Sequence, residues 1–332
     1  MLKLSVVIIG RNEGVRLVRC IRSVQAMSNF NRDDIEIIYV DSDSTDDSPT
    51  QAKILGAKVL VVHPERPAAA IGRNAGLQAA QAPYILFLDG DTILNPDFVS
   101  VALQQFEAHP KTAIVWGHRR ELYPEKSLYQ RVLDLDWVYP AGLSEFCGGD
   151  AVMRRDVLTE VNGYNPKLIA GEEPEMCQRI RAKGYEILHI DQAMTLHDLA
   201  ITRWSQYWRR AVRAGHAYAE ISNLLKNTDT PLWQRDAKRN LIHSTVLLLV
   251  ALSGIMGSLI LSSIWALLFS LGFFIAISIR SGWKCRWKSS SAWSLFLYGI
   301  HSHFQQIPIT AGQLSYYYLR WRGKQRGLIE YK

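Results

Sequence analysis

Several common sequence signals are missing from this chain. Only 4 of its 332 residues are cysteines, and they lie far apart, without the paired spacing of a zinc site or the density of a disulfide scaffold. Neither a GxGxxG nor a GxxxxGK(S/T) element occurs, which excludes a Rossmann dinucleotide fingerprint and a P-loop. The sparse cysteines therefore predict a reducing compartment, in which thiols act as small apolar side chains.

A secretory leader and a nucleic-acid-binding pattern are also missing. Met1 leads directly into an apolar strand instead of a basic segment, an apolar core and a cleavage site, so we expect the soluble part to face the cytoplasm. The net charge of +7 is compatible with nucleic acid, an acidic ligand or an anionic membrane. Because the basic residues flank an apolar block, the charge favours a membrane and argues against nucleic acid.

The most informative stretch is an apolar run that ends in two carboxylates. Residues 84–88 read as a strand buried on both faces, as in a parallel sheet. Asp89 and Asp91 follow on either side of Gly90. Two acids at a strand end can bind a divalent cation and its phosphates. For so short a doublet, the alternative is a solvated turn.

Strands and helices alternate through the rest of this region. The predicted strands are residues 4–9, 35–40, 58–62, 84–88, 112–117 and 186–190. The predicted helices are residues 15–27, 49–55, 68–82 and 95–109. This order predicts an α/β fold with right-handed crossovers and a mostly parallel sheet flanked by helices.

Further polar residues follow strand ends or begin helices. Asp41 is the first residue beyond its strand, and since a helix cap needs only a nearby hydroxyl, this acid is available for a ligand. Asp150 lies in a glycine turn, and Glu172 and Glu173 begin a predicted helix. Acids at a helix start can also serve only the helix dipole.

In this order the motifs resemble an inverting, hexosyltransferase-type glycosyltransferase of family 2 with the GT-A fold. The resemblance covers about residues 4–215. It rests on residues 11–13, 40–46, 72–76, 89–91, 148–150, 172–173 and 206–210. It implies a UDP- or GDP-linked sugar donor and a divalent metal, Mg or Mn.

The resemblance also implies roles for individual residues. The implied donor-binding residues are Asn12, Glu13, Asp41, Asp43, Arg73, Asn74, Asp89, Gln206, Arg209 and Arg210. The implied metal ligands are Asp91, Asp89 and His197. A histidine beside a strand also commonly has a structural role, and arginines near residue 209 can instead face anionic lipid.

The implied catalytic residues are Glu173 as base, Glu172 in reserve and Asp150 beside the acceptor. The family pattern is Glu-Asp where this chain has Glu172 and Glu173, so the carboxylate moves by ~1 Å, which matters for an aligned displacement. An attacking hydroxyl still needs a carboxylate to take its proton. The element at residues 206–210 resembles the family pattern Gln-X-X-Arg-Trp, but its last residue is Arg210 instead of Trp. This difference weakens the expectation of processive synthesis.

The C-terminal part predicts a membrane anchor. Residues 241–279 contain no Asp, Glu, Lys or Arg, and as one helix they would extend about 58 Å against a hydrocarbon core of ~30 Å. We therefore expect two spans that turn near residue 257 or residues 262–263, with both basic ends cytoplasmic. The predicted domains are 1–202 catalytic, 203–240 interfacial helices, 241–280 a membrane hairpin, and 281–332 a basic loop, an interfacial or re-entrant helix at 292–319 and a basic tail.

These features favour an inner-membrane enzyme whose acceptor is a lipid or lipid-linked saccharide used in cell-envelope glycan or glycolipid synthesis. One alternative is a polyprenyl-phosphate glycosyltransferase, whose anionic acceptor needs no base, so the acids at 150, 172 and 173 argue against it. Another is a catalytically silent anchor protein, which the retention of Asp89, Asp91, Glu173 and Arg209 disfavours.

Overall fold

The computed structural model, which describes residues 2–324 and 327, divides into two units. The first unit comprises Met1–Tyr123 and Trp137–Leu199, and the second comprises Pro124–Asp136 and Ala200–Lys332. Residues 124–136, which the sequence placed in the catalytic domain, thus belong to the second unit. The distal part of the predicted basic tail, residues 325–326 and 328–332, lies outside the described residues.

The first unit contains all the strands that the structure describes. The strands are β1 Leu4–Gly10, β2 Ile35–Asp41, β3 Lys58–Val61, β4 Tyr84–Asp89, β5 Thr92–Leu94, β6 Thr112–Glu121, β7 Gly142–Leu143, β8 Ala151–Arg154 and β9 Glu186–His197. Its helices are α1 Val15–Gln25, α2 Ser48–Ile54, α3 Ala69–Ala79, α4 Phe98–Ala108, α6 Arg155–Glu160 and α7 Glu172–Ala182. The remaining helix of the first 200 residues, α5 Leu128–Asp136, belongs to the second unit.

The strands form one mixed sheet flanked by helices, as expected for the GT-A fold. Their order is β3-β2-β1-β4-β8-β6-β9-β5, with β7 paired to β9. The first four strands of this order are parallel to one another, whereas β8 is antiparallel to both β4 and β6. The register pairs Gly10 with Asp41 and Ile9 with Asp89. The carboxyl ends of β1, β2 and β4 therefore meet at one edge of the sheet.

The small residues of α3 let this helix lie directly on β1. A Cβ at Gly76 would come within 2.1 Å of Val7 Cγ1, closer than packed carbon atoms approach each other. Val7 itself is fully buried, as are Val6 and Ile8, and each such side chain contributes about 1.5–3 kcal/mol by leaving water. This close packing fixes α3, and with it Arg73, against the central strands.

Two strands run further than the sequence predicts, and three others, β5, β7 and β8, were missed. β6 continues past residue 117, and β9 continues past residue 190, so Arg119 and His197 lie on strands. β5 and β8 have three and four residues and pair antiparallel with distant strands. Such short strands depend on pairing that no local pattern shows.

The second unit consists of helices and the loops between them, and it has no strand among its described residues. Besides α5, its helices are α8 Trp204–Leu224, α9 Gln234–Ile260, α10 Trp265–Lys284, α11 Ala292–Phe304 and α12 Gln306–Trp321. By length and composition, α9 and α10 can each cross a membrane, and they turn at residues 261–264. The segment at 292–319, predicted as a single helix, is instead two, because Pro308 in the first turn of α12 has no N–H with which to continue the bonding of α11.

Glycines bring the helices of this unit into direct backbone contact. A Cβ at Gly312 of α12 would lie 2.1 Å from the carbonyl oxygen of Val212 in α8. A Cβ at Gly299 of α11 would lie 2.0 Å from the carbonyl oxygen of Ser278 in α10. These two helix pairs therefore pack through small residues, as helices commonly do within bilayers.

Candidate active site

Asp89, Asp91 and His197 meet at the edge of the sheet. Asp89 ends β4, Asp91 precedes β5, and His197 ends β9, which pairs with β5 through Thr92. One potential ligand atom from each lies within 4.8 Å of the other two. His197 Nε2 is 3.2 Å from Asp91 Oδ1. The antiparallel pairing of β5 with β9 is therefore what completes the cluster that the sequence predicted.

These three side chains suit a divalent cation. Burial, with the charge of Arg119, lowers the pKa of His197 to about 3, so the imidazole is neutral, which is the form that binds metal. Its Nδ1 is buried and has no hydrogen-bond partner among the described residues. Two carboxylates and one imidazole form a donor set that Mn²⁺ accepts readily and Mg²⁺ accepts mainly through oxygen.

Arg73 links the metal-type cluster to the predicted base. Its guanidinium lies 3.0 Å from Asp89 Oδ1, 3.0 Å from Glu172 Oε1 and 2.9 Å from Glu173 Oε1. Arg73 is only 2% exposed, so these charge-assisted contacts form away from bulk water. The acids that the sequence placed more than 80 residues apart therefore converge on one cation.

The two glutamates begin α7, and their surroundings differ. The side chain of Glu172 is 5% exposed and that of Glu173 is 15% exposed. Burial and the neighbouring charge of Glu172 raise the pKa of Glu173 to about 7, against the lowering effect of Arg73. A carboxylate whose pKa is near neutrality is suited to accept a proton during a reaction, and the role of Glu173 as the base stays a prediction.

Asp150 supports Asp89 from behind. Its Oδ1 accepts a hydrogen bond from the backbone N–H of Asp89 (3.1 Å), and its Oδ2 accepts one from Thr195 Oγ1 (2.8 Å). The side chain is fully buried. In this geometry Asp150 positions the end of β4, and its place beside an acceptor stays a prediction.

Arg119 is a site residue that sequence reasoning missed. Its Nη2 lies 3.3 Å from Asp89 Oδ2, and its guanidinium lies 4.9 Å from the ring centroid of Trp137. The ring of Trp137 is in turn 5.0 Å from that of His197. The sequence contains little indication of this position, because the apolar run that predicts β6 ends at Gly117, whereas the strand continues to Glu121.

The loops after β1 and β2 hold each other in place. Asn12 Oδ1 accepts a hydrogen bond from the N–H of Thr45 (2.8 Å). Asp41 is buried, and its oxygens accept bonds from the hydroxyls of Tyr39 (2.8 Å) and Ser44 (2.5 Å). Asp43 is the more exposed acid of this loop, with a positive φ of 64°.

Three other residues that were predicted to bind the donor contact residues of the first unit. Glu13 forms an ion pair of 2.9 Å with Arg16. Asn74 Nδ2 donates a hydrogen bond to the carbonyl oxygen of Tyr164 (2.7 Å), and Asn74 Oδ1 accepts one from the N–H of Tyr164 (2.8 Å). The neighbouring Arg73 forms the ion pairs described above. These side chains organise the loops, and their contact with a donor stays a prediction.

The element at residues 206–210 lies on α8 in the second unit. The Gln206 side chain accepts hydrogen bonds from the N–H groups of Thr202 and Arg203, both at 3.0 Å, and so caps α8. Arg209 is exposed. Burial tends to raise the pKa of Asp136, but the charge of His301 and, to a lesser extent, that of Arg210 lower it below its usual value. The donor contacts predicted for these three residues stay predictions.

Family models account for both parts of the chain. The model described as "Glycosyl transferase family 2" matches residues 5–161. The model described as "Glycosyl transferase family group 2" matches residues 84–301, which is more than half of the chain. This chain belongs to glycosyltransferase family 2.

Curated relatives match this family 2 glycosyltransferase over limited lengths. The pre-mycofactocin glycosyltransferase of Mycobacterium tuberculosis is 24% identical over 205 residues, covering 58% of this chain and 42% of that protein. Other relatives are covered over 24% and 32% of their length. The chain thus spans less than half the length of these curated relatives.

Solved structures share the fold of this glycosyltransferase. The mannosyltransferase PcManGT of Pyrobaculum calidifontis, in complex with GDP-Man and Mn²⁺, gives a TM-score of 0.62 at 17% identity and covers 95% of this chain and 87% of its own. TarS of S. aureus (residues 1–349), in complex with UDP-GlcNAc, gives 0.50 at 14% identity and covers 97% and 93%. At these identities the likeness establishes the GT-A-type fold.

Proposed function

We propose that this protein is a membrane-bound, inverting glycosyltransferase that moves a sugar from a nucleotide diphosphate donor to an acceptor hydroxyl. One observation carries the proposal: Arg73 joins Asp89 of the metal-type cluster to Glu173, with ion pairs of 3.0 and 2.9 Å. The proposed metal ligand Asp89 and the proposed proton acceptor Glu173 thus contact the same guanidinium group. That arrangement suits a displacement in which the leaving group and the nucleophile flank one carbon atom.

Asp89, Asp91 and His197 would hold a Mn²⁺ or Mg²⁺ ion. When bound, such an ion supplies positive charge where the departing diphosphate becomes more negative. The cation and nucleotide-sugar bound by the solved relatives, GDP-Man with Mn²⁺ and UDP-GlcNAc, support a UDP- or GDP-linked donor. The buried, neutral imidazole of His197 is consistent with this role.

Glu173 would take the proton of the acceptor hydroxyl as that oxygen attacks the anomeric carbon. Arg73 would hold the carboxylate in line, and burial, together with the charge of Glu172, would keep the pKa of Glu173 near neutrality. A single displacement from the side opposite the diphosphate inverts the configuration of the anomeric carbon. Asp150 would preserve the alignment of Asp89 through its bond to the backbone.

The acceptor is proposed to be a lipid or a lipid-linked saccharide used in cell-envelope glycan or glycolipid synthesis. Support comes from α9 and α10, each long and apolar enough to cross a membrane. Lys238 and Arg239 at one end of the pair, and Arg280 and Lys284 at the other, support a cytoplasmic position for both ends under the positive-inside rule. We therefore propose the inner membrane, with the catalytic unit facing the cytoplasm.

The test is a transfer assay on purified protein. A panel of labelled UDP- and GDP-sugars is incubated with a membrane lipid extract, with Mn²⁺, Mg²⁺ or EDTA, and the anomeric configuration of the product is read by NMR. We expect metal-dependent label in the lipid fraction with inverted configuration. Nucleotide binding without transfer from any donor would instead indicate a silent anchor protein. Transfer that survives Glu173→Gln would indicate a phosphate acceptor, which needs no base.

A further inference from the structure

One face of α9 changes from basic to apolar along its length. Residues three and four apart lie on the same side of a helix, and this face consists of Arg235, Lys238, Arg239, Ile242, His243, Val246 and Leu247. The rise between its first and last residue is about 18 Å. A ligand that follows this face therefore meets cations at one end and hydrocarbon at the other.

This face of α9 lines a groove within the second unit. The groove has a volume of about 540 Å³, and Phe273 and Ile277 of α10 form its opposite wall together with His303 of α11. Its exposed lining as a whole, from the basic residues of α9 to His303, is almost entirely apolar. Because apolar walls of this extent are stabilised by covering them, the groove suits a hydrocarbon chain.

The mouth of the groove carries positive charge that no carboxylate among the described residues fully neutralises. Arg239 forms an ion pair with Asp236 at 2.6 Å. Arg235 and Lys238 are exposed, and neither has a carboxylate partner in the part of the chain that the structure describes. Two cations are thus available for an anion, and guanidinium and ammonium groups both bind phosphate well.

The polar groups deeper in the groove already have partners. His303 Nε2 lies 3.1 Å from the carbonyl oxygen of Ile277 and 2.8 Å from Ser281 Oγ. Since a carbonyl only accepts, Nε2 carries the proton, and Nδ1 accepts from His243 Nε2 at 2.9 Å. A wholly polar ligand therefore gains little below the mouth, which argues against a free nucleotide.

We propose that this groove binds a bilayer phospholipid whose headgroup carries a net negative charge. The headgroup phosphate lies on Arg235 and Lys238, and one acyl chain follows Leu247, Phe273 and Ile277. This inference rests on the membrane association proposed above and is independent of the transfer chemistry. A zwitterionic lipid offers the same chain but no net charge, so the mouth provides selectivity.

The test uses the full-length protein in detergent, titrated with phosphatidylglycerol or phosphatidylcholine, with bound lipid measured by native mass spectrometry. We expect retention of phosphatidylglycerol over phosphatidylcholine. The double variant Arg235→Gln/Lys238→Gln is expected to weaken phosphatidylglycerol binding about 25-fold, since each cation near an anionic headgroup contributes about fivefold. The matched control Arg280→Gln/Lys284→Gln removes two cations that do not line the groove, and it should change binding less than twofold.

Two further arms separate the contributions of charge and chain. Val246→Trp enlarges an exposed side chain of the groove lining without altering charge, and it should weaken phosphatidylglycerol binding while circular dichroism stays unchanged. Inorganic phosphate alone should fail to displace the lipid at equal concentration. Equal binding of the two lipids, equal losses in the double variant and its control, or displacement by inorganic phosphate would each overturn the inference. Because no sugar donor is used, that failure would leave the proposed function standing.

Discussion

A single methyl group added at Gly149 tests the role of Arg73. A Cβ at this position would lie 2.6 Å from Arg73 Nη2, 3.2 Å from Asp89 Oδ2 and 3.4 Å from Glu173 Oε1. A Cβ contact is normally at least about 3.4 Å, so the guanidinium must move by roughly 0.8 Å. Because Arg73 is buried among three carboxylates, that movement lengthens its ion pairs instead of turning the side chain into water.

The expected result of Gly149→Ala is a catalytic defect in a folded protein. A misplacement of about 1 Å at a reacting centre costs on the order of 10²-fold in rate, and disturbing a buried charged contact costs about 1–3 kcal/mol in stability. The assay is kcat and KM for transfer, with thermal unfolding measured in parallel. We expect a fall in kcat near 10²-fold and a modest fall in Tm.

The neighbouring glycine provides the control. A Cβ at Gly148 meets no atom within 4 Å among the described residues, so Gly148→Ala should retain nearly full activity. If both alanine variants lose activity equally, or if Gly149→Ala is as active as the unaltered protein, then Arg73 does not hold the acids as we argue.

The other predictions concern the acids and the helix contacts. Asp91→Ala should abolish donor turnover and metal-dependent nucleotide binding measured by calorimetry, and unchanged turnover would remove the metal assignment. Glu173→Gln should preserve donor binding and stop transfer, whereas the same result for Glu172→Gln would show that the other acid is the base. Because the base acts when deprotonated and its pKa is raised to about 7, log(kcat/KM) should rise with pH up to about 7 and then level off. A profile flat from pH 5 to 9 contradicts this. Gly312→Leu should lower Tm and yield, since its Cβ would lie 2.1 Å from a carbonyl of α8, while Gly272→Leu, with nothing within 4 Å, should not.

The positions of the candidate acids were predictable because they depend on the ends of single strands and helices. The apolar run before Asp89 indicated a buried strand. The strand is parallel to β1, and its register places Asp89 beside Ile9, as the alternating order of strands and helices predicts. Glu172 and Glu173 were readable as a helix start, and they begin α7. In each case a local pattern was sufficient, because the position depends on one strand or helix end.

The contacts that complete the site depend on distant pairing, and local patterns did not predict them; His197 was implied as a metal ligand only by the family resemblance. His197 reaches Asp91 only because β9 runs to its full length and pairs with three residues of β5. Arg119 lies on the extension of β6 beyond Gly117, where the sequence turns polar. Arg73 was predicted to bind the donor, but nothing in its helix indicated that three carboxylates would surround it.

The short strand β8 determines how this protein could lose activity without unfolding. Its four residues are the bridge between β4, with its parallel neighbours, and the β6–β9 half of the sheet. Thr195, which holds Asp150, lies on the far half, whereas the amide that Asp150 supports lies on β4. A slip along this bridge would separate the two halves of the catalytic centre while most buried apolar residues kept their neighbours. Temperature-sensitive alleles that are inactive yet fully expressed should therefore map to residues 150–154.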